Sequence, residues 1–129
     1  MAKTEMARQL EVDKWYTRPI FTVTDMPRAL QHYCGRLGFM QDWKHDENGR
    51  TIVTQVNKGE CELILEEKSD QARVTAATRV YISLEPEEMQ RLEQVVRDKN
   101  IPVEHVFWGY DLLQIADPDN NLLLVSAAC

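Results

Sequence analysis

Apolar positions along the chain follow two periods, and the order of those periods repeats once. Residues 5–16 hold few helix breakers, with Met6 and Leu10 four apart as on one helix face. Ile20-Phe21-Thr22-Val23 predicts a strand. Asp25 and Pro27 supply a helix start, a capping acceptor and a first-turn proline. Ala29, Leu30, Tyr33 and Leu37 then recur at helical spacing, and Gly38 ends the run. Three strands come next, Phe39 to Trp43, Thr51 to Val56 and Glu62 to Leu65, with turns at Asn48-Gly49 and Lys58-Gly59.

The second half has the same order. Arg79 to Leu84 predicts a strand, and Pro86 opens a helix with Met89, Leu92, Val95 and Val96 on its apolar face. Asn100 suits the left-handed conformation that ends a helix. Val103 to Phe107, Asp111 to Ile115 and Leu122 to Val125 predict three more strands, separated by Gly109 and by Asp117-Pro118-Asp119-Asn120-Asn121. Arg18 and Arg79 begin similar segments 61 residues apart. The pattern predicts an α+β fold of two βαβββ units. Two copies of a long period mark a duplicated half-domain rather than a solenoid. The expected divisions are an extension at 1–16, a first unit at 17–65, a polar linker at 66–77 and a second unit at 78–129.

Composition narrows the function. The chain has 129 residues and a net charge of −6. That balance disfavours nucleic acid and anionic membranes, which need a positive surface, and suits neutral or cationic partners. No apolar run approaches the ~20 residues that cross a bilayer, and the first residues lack a signal-peptide core, so a cytoplasmic location is expected. Cys34, Cys61 and Cys129 are too few and too scattered for a disulfide framework or a zinc knuckle. They read as small structural thiols.

Three stretches carry a family likeness. The first is Val23-Thr24-Asp25-Met26-Pro27-Arg28-Ala29-Leu30-Gln31-His32-Tyr33 with Arg36-Leu37-Gly38-Phe39. The second is Trp108-Gly109, and the third is Asp117-Pro118-Asp119-Asn120-Asn121. With the repeat, the chain resembles the vicinal oxygen chelate superfamily, which includes glyoxalase I, fosfomycin-resistance proteins, extradiol dioxygenases and bleomycin-resistance proteins. The likeness spans roughly residues 17 to 127. It implies that the units form curled mixed sheets around a cleft, each unit curling into a half-barrel.

Metal-dependent members carry His, Gln or Glu on the first strand of each unit and on the last strand. The resemblance puts those positions at Arg18, Arg79 and Leu124. Arginine stays protonated and leucine has no donor atom, so the usual metal site is expected to be absent. Other histidines offer little. His32 reads as a helix-packing or solvent-facing residue. His45-Asp46-Glu47 reads as a solvated loop cluster, and Glu104-His105 points to opposite faces of a strand. Ser83 and Ser126 lack a nucleophile elbow, and no phosphate loop is present. No catalytic residue, metal or cofactor is expected.

Strand alternation puts Arg18, Ile20 and Thr22 on one face. By the repeat, Arg79, Tyr81 and Ser83 share a face, joined by Leu122, Leu124 and Ser126. Trp108, Tyr110 and Trp43 suit stacking on a planar ligand, or core packing. The two arginines have two readings: an anion site, or structural cross-links to Glu62, Glu66 or another acid.

By resemblance, the leading reading is a metal-free small-molecule-binding protein that sequesters an antibiotic or other planar, cationic ligand as a homodimer. Asp46, Glu47, Glu60 and Asp111 would attract the cation. The alternatives are a superfamily lyase, isomerase or dioxygenase with a relocated site, using Tyr81, His105 or Glu62 as acid or base, and an interaction module.

Overall fold

The computed structural model describes residues 15–68 and 78–127. Its elements run β1 (Ile20–Val23), α1 (Met26–Leu30) continued by a π-helical turn (Gln31–Arg36), then β2 (Met40–Glu47), β3 (Arg50–Lys58) and β4 (Cys61–Glu67). The second unit holds β5 (Arg79–Leu84), α2 (Pro86–Asp98), β6 (Val103–Phe107), β7 (Asp111–Ala116) and β8 (Leu122–Ala127). Each unit forms one four-stranded mixed sheet, ordered β1-β4-β3-β2 and β5-β8-β7-β6. The first and last strands of each unit pair in parallel, and the remaining pairs are antiparallel. The predicted pair of βαβββ units is therefore the fold, with two open sheets and no closed barrel.

Local chemistry explains the turns. Asn48 and Gly49 both have positive φ (52° and 77°), as a two-residue hairpin matched to sheet twist requires. Asn100 (φ 51°) and Asn120 (φ 65°) take the left-handed conformation with side chains that tolerate it. At the first helix, the Asp25 carboxylate accepts from the Arg28 amide, and Pro27 sits in the opening turn.

Three expectations are corrected. Trp15 and Tyr16, placed in an N-terminal helix, lie in non-helical chain; the rest of that helix falls outside the described residues. Glu66 and Glu67, placed in the linker, belong to β4, because β1 and β3 both pair as far as Glu66 and β1 reaches Glu67. The remaining linker lies largely outside the described residues. The single α-helix expected over Pro27 to Leu37 is split. After Leu30 it widens into a π turn, in which the Leu37 amide donates to the His32 carbonyl. One extra residue in a turn rotates the side chains beyond it about the helix axis. Here both His32 and Tyr33 are buried.

The helix-side faces of both sheets share one continuous core. Phe21, Val23, Leu63 and Leu65 meet Leu113, Ile115, Leu123 and Val125 in it. A polar junction crosses the same boundary. Tyr33 Oη donates to Asp117 Oδ2 at 2.8 Å. Asp117 also accepts from the Asp119 amide (2.8 Å), the Asn121 amide (2.9 Å) and Asn121 Nδ2 (2.9 Å). Asp119 in turn accepts from the Thr24 hydroxyl at 2.6 Å, and Asn121 Nδ2 reaches the Thr22 carbonyl at 3.0 Å. The turn before β8 is thus fastened to the β1–α1 corner of the other unit.

Two substitutions probe this interior. Asp117→Ala leaves the buried Tyr33 hydroxyl and three other donors without their acceptor, and should lower unfolding free energy by about 2–4 kcal/mol in urea titration. His32, 5% exposed, has no partner for Nε2 among the described residues. Burial holds its pKa below the usual histidine value, against a smaller opposite pull from Asp117. The unfolded chain therefore binds the proton more readily. Stability should be fully present above about pH 6.5 and decline as pH falls below it. His32→Phe should remove that part of the acid slope in denaturation series run from pH 7.5 to 5.

Candidate functional site

The face of each sheet turned away from the helices carries the predicted site residues. In the first sheet, Phe21, Val23, Leu63 and Leu65 point to the core, so alternation puts Ile20, Thr22, Glu62 and Ile64 on the outer face. β3 opposes Ile64 with Gln55 and Glu62 with Asn57. These register positions build a polar chain. Arg18 Nε donates to Glu62 Oε2 at 2.6 Å, and Gln55 Nε2 donates to the same oxygen at 3.0 Å. Gln55 Nε2 also reaches Asn57 Oδ1 (2.8 Å), and Gln55 Oε1 accepts from Trp43 Nε1 (2.8 Å). Asn57 Nδ2 continues the chain to Asp42 Oδ2 at 3.2 Å. Gln55 is 3% exposed and sits at its centre, with both amide ends satisfied.

Arg18 is therefore a cross-link to Glu62 here, the structural one of its two readings. Its pair is partly open, with the side chains 38% and 33% exposed. Ile20 is exposed and Thr22 half-buried beside it.

The outer face of the second sheet is aromatic. Tyr81 pairs in register with Leu124, and its hydroxyl donates to Ser126 Oγ at 2.8 Å. That hydroxyl also lies 2.9 Å from the Tyr110 hydroxyl. The Tyr81 ring stacks on Trp108, with centroids 6.2 Å apart and planes 18° from parallel. The hydrogen bond to Tyr81 pushes the Tyr110 pKa up, so its phenol stays protonated at neutral pH. Leu124 is buried beneath this cluster and Leu122 is half-buried. Arg79 and Ser83 are exposed on the same strand.

The structure thus brings Tyr81, Trp108, Tyr110 and Ser126 together, with Leu124 beneath. It puts Arg18, Ile20 and Thr22 on the other sheet. Among the described residues, no side-chain hydrogen bond or ion pair joins the two sets. The inner faces of the sheets share the core, and a groove of about 990 Å³ is bordered by both units, by Thr17, Pro19 and Glu62 of the first and by Tyr81 and Ser83 of the second.

The expected acid set is dispersed. Asp46 bonds Thr51 at 2.7 Å, which holds its pKa low, and lies 3.6 Å from Lys44. Glu47 faces His45 at 3.9 Å. Glu60 sits in the β3–β4 turn at the other end of the hairpin from both, and Asp111 opens β7. Asp42, Gln55 and Asn57 were not anticipated. A signal existed in the strand alternation running from Glu62 through Asn57 and Gln55, but it required the inter-strand register.

Donor chemistry does not fit a divalent metal at the superfamily position. Arg18 and Arg79 carry protonated guanidinium groups, and Leu124 has no donor. Among the described residues, no three His, Cys, Asp or Glu side chains are grouped to hold an ion. Cys34 and Cys61 are half-buried, and burial pushes both thiols up, away from the reactive thiolate. No described helix is long and apolar enough to cross a membrane.

Comparison with known proteins agrees with this architecture. A family profile described as glyoxalase superfamily protein matches residues 2–127, and the chain belongs to that superfamily. Comparison with curated proteins gives no match. Among solved structures, an integron cassette protein from the mobile metagenome of a Halifax Harbour sewage outfall is 17% identical, covering 88% of this chain and 98% of that one, with a TM-score of 0.70. Lactoylglutathione lyase from Agrobacterium tumefaciens is 16% identical over 88% and 93%, with a TM-score of 0.65. The bleomycin-binding protein from Streptomyces verticillus, solved with copper(II)-bleomycin, is 17% identical over 89% and 97%, with a TM-score of 0.65. At such identities the likeness is one of fold.

The polar chain ranks its own members. Gln55→Ala should cost about 1–3 kcal/mol, because it strips partners from the Trp43 indole and from Glu62. Arg18→Ala should cost under about 1 kcal/mol, since its pair is partly solvated. Urea titrations followed at 222 nm and by tryptophan emission would give that order, or reverse it.

Proposed function

We propose that the chain is a metal-free protein that binds and sequesters a planar, cationic small molecule, acting as a homodimer. One observation carries this reading: an exposed aromatic platform whose orientation is fixed before any ligand arrives. Tyr81 is held by Ser126 and Tyr110 and stacked on Trp108. Fixing such rings in advance reduces the entropy lost on binding, and their faces favour flat and cationic groups. Trp43, Tyr81, Trp108 and Tyr110 are 42–48% exposed, an unusual amount of open aromatic surface for a small domain.

The polar chain complements this platform. Arg18 is engaged by Glu62, which lowers its value as an anion site and leaves Asp42 as an acidic acceptor on that face. Each outer face is half of a cleft. Two-fold pairing of copies would set the polar face of one against the aromatic face of the other, each copy supplying both halves. The bleomycin-binding protein of the same fold lends support to a ligand of this chemistry.

Titration of the purified chain with metal-free bleomycin, with a chelator present, tests this. Saturable quenching of tryptophan emission is expected at about one drug per chain, with micromolar affinity or tighter, roughly −8 kcal/mol. Trp108→Ala should weaken binding at least about tenfold, by roughly 1.4 kcal/mol, while the far-ultraviolet circular dichroism stays unchanged. Catalytic conversion of a bound ligand, abolished by chelation, would replace the binding reading with the enzyme one.

A further inference from the structure

The acids expected to attract a cation are dispersed, and Asp111, which follows the platform's Tyr110, alternates onto the core side of β7 with Leu113 and Ile115. The strand register brings a different acid onto the platform's face. Tyr81 lies opposite Leu124, Leu124 opposite Gln114, and Gln114 opposite Glu104. These four residues form one row across all four strands of the second sheet. Their strand neighbours Val80, Leu123, Leu113 and Val103 pack in the core, so the row faces outward. It spans three strand spacings, about 14 Å. Leu124 is its buried floor, and Gln114 Nε2 donates to Glu104 Oε2 at 3.2 Å. A concavity of about 340 Å³ opens beside this pair, over Leu122 and Ala116 of the adjoining row. Among the described residues that line it, Glu104 alone is charged. Arg79 stands on the same face but on β5, at the far end of the adjoining row.

We propose that Glu104, oriented by Gln114, receives a cationic group of the ligand, carried on an arm of roughly 10 Å from the flat part that stacks on Tyr81 and Trp108. This inference rests on the ligand-binding reading and narrows its ligand class to a flat aromatic group with a flexible arm that ends in an ammonium. The platform by itself selects for flatness, because stacked rings accept neutral and cationic groups alike. A carboxylate on the same face adds a choice by charge. Gln114 occupies one acceptor position of Glu104, and an ionised carboxylate offers about four, so acceptor capacity remains for the N–H donors of an ammonium. The concavity gives the end of the arm an apolar bed on Leu122 and Ala116, with the carboxylate at its edge. Glu104 is exposed, so solvent weakens the attraction, and its part is to discriminate among flat ligands rather than to supply most of the affinity.

Two matched probes test the assignment on the full chain: a naphthalimide with a six-carbon arm ending in ammonium, and its twin ending in hydroxyl. Titrations followed by tryptophan quenching should show the ammonium probe bound about fivefold more tightly than its twin. Glu104→Gln should bring the two affinities together. Glu104→Lys should transfer the preference to a third probe whose arm ends in carboxylate. A preference for ammonium that survives in Glu104→Gln would overturn the inference and leave the platform reading standing, as would equal affinities in the unaltered chain. Saturable binding of metal-free bleomycin with neither twin bound would also overturn this inference alone. No binding of bleomycin or of either twin would overturn the ligand-binding reading, and this inference with it.

Discussion

Asp117 gathers four hydrogen bonds on one buried carboxylate, and the relation between the two units depends on it. Two of those bonds come from backbone amides of its own turn and fix the loop before β8. A third, from Asn121 Nδ2, orients a side chain that also grips the Thr22 carbonyl of β1. The fourth comes from Tyr33, on the π turn of the other unit. A buried carboxylate is tolerated only when its acceptor capacity is filled. Here the filling comes from both units, so neither has its polar groups satisfied without the other. Burial and the neighbouring carboxylate both push the Tyr33 pKa up, which keeps its hydroxyl a donor across the physiological range.

The helix-side faces are consumed by the shared core, and the opposite faces are left to meet solvent. Their chemistry diverged despite a common topology. The first became a hydrogen-bonded polar chain centred on Gln55. The second became a stacked aromatic platform centred on Tyr81. Gln55 is held by partners on neighbouring strands, whereas Tyr81 is held by Ser126 of β8 and by Trp108 and Tyr110 of the β6–β7 turn.

The strand order and the turns were legible because their causes are local. Alternation marks β5 and β6 to the residue, and Asn48, Gly49, Asn100 and Asn120 take the left-handed conformations their chemistry favours. The π turn was not legible. It has no period of its own, and its reason is an acceptor 84 residues away. The aromatic cluster was anticipated from alternation and the repeat, since Tyr81, Leu124 and Ser126 fall on one face. The polar chain was only half visible. Glu62 was a named partner for Arg18, but Gln55, Asn57 and Asp42 join it through cross-strand register, and β2 shifts register against β3 between Gln41 and Lys44. Periodicity along one strand cannot report a shift against its neighbour.

The parallel pairing of first and last strands has a consequence for biosynthesis. A chain leaving the ribosome presents β1 before β4, yet among the described residues β1 bonds only to β4, and no hairpin between described strands can seat it early. The first sheet is complete once Glu67 has emerged, but Tyr33 then still waits for Asp117, and Thr24 for Asp119. Until the final turn arrives, the nascent first unit carries a tyrosine hydroxyl and a helix corner without their acceptors. The turn around Asp117 is therefore the clasp between the two units, and a nascent chain halted before Asp117 would expose the inner face of the first sheet to chaperones.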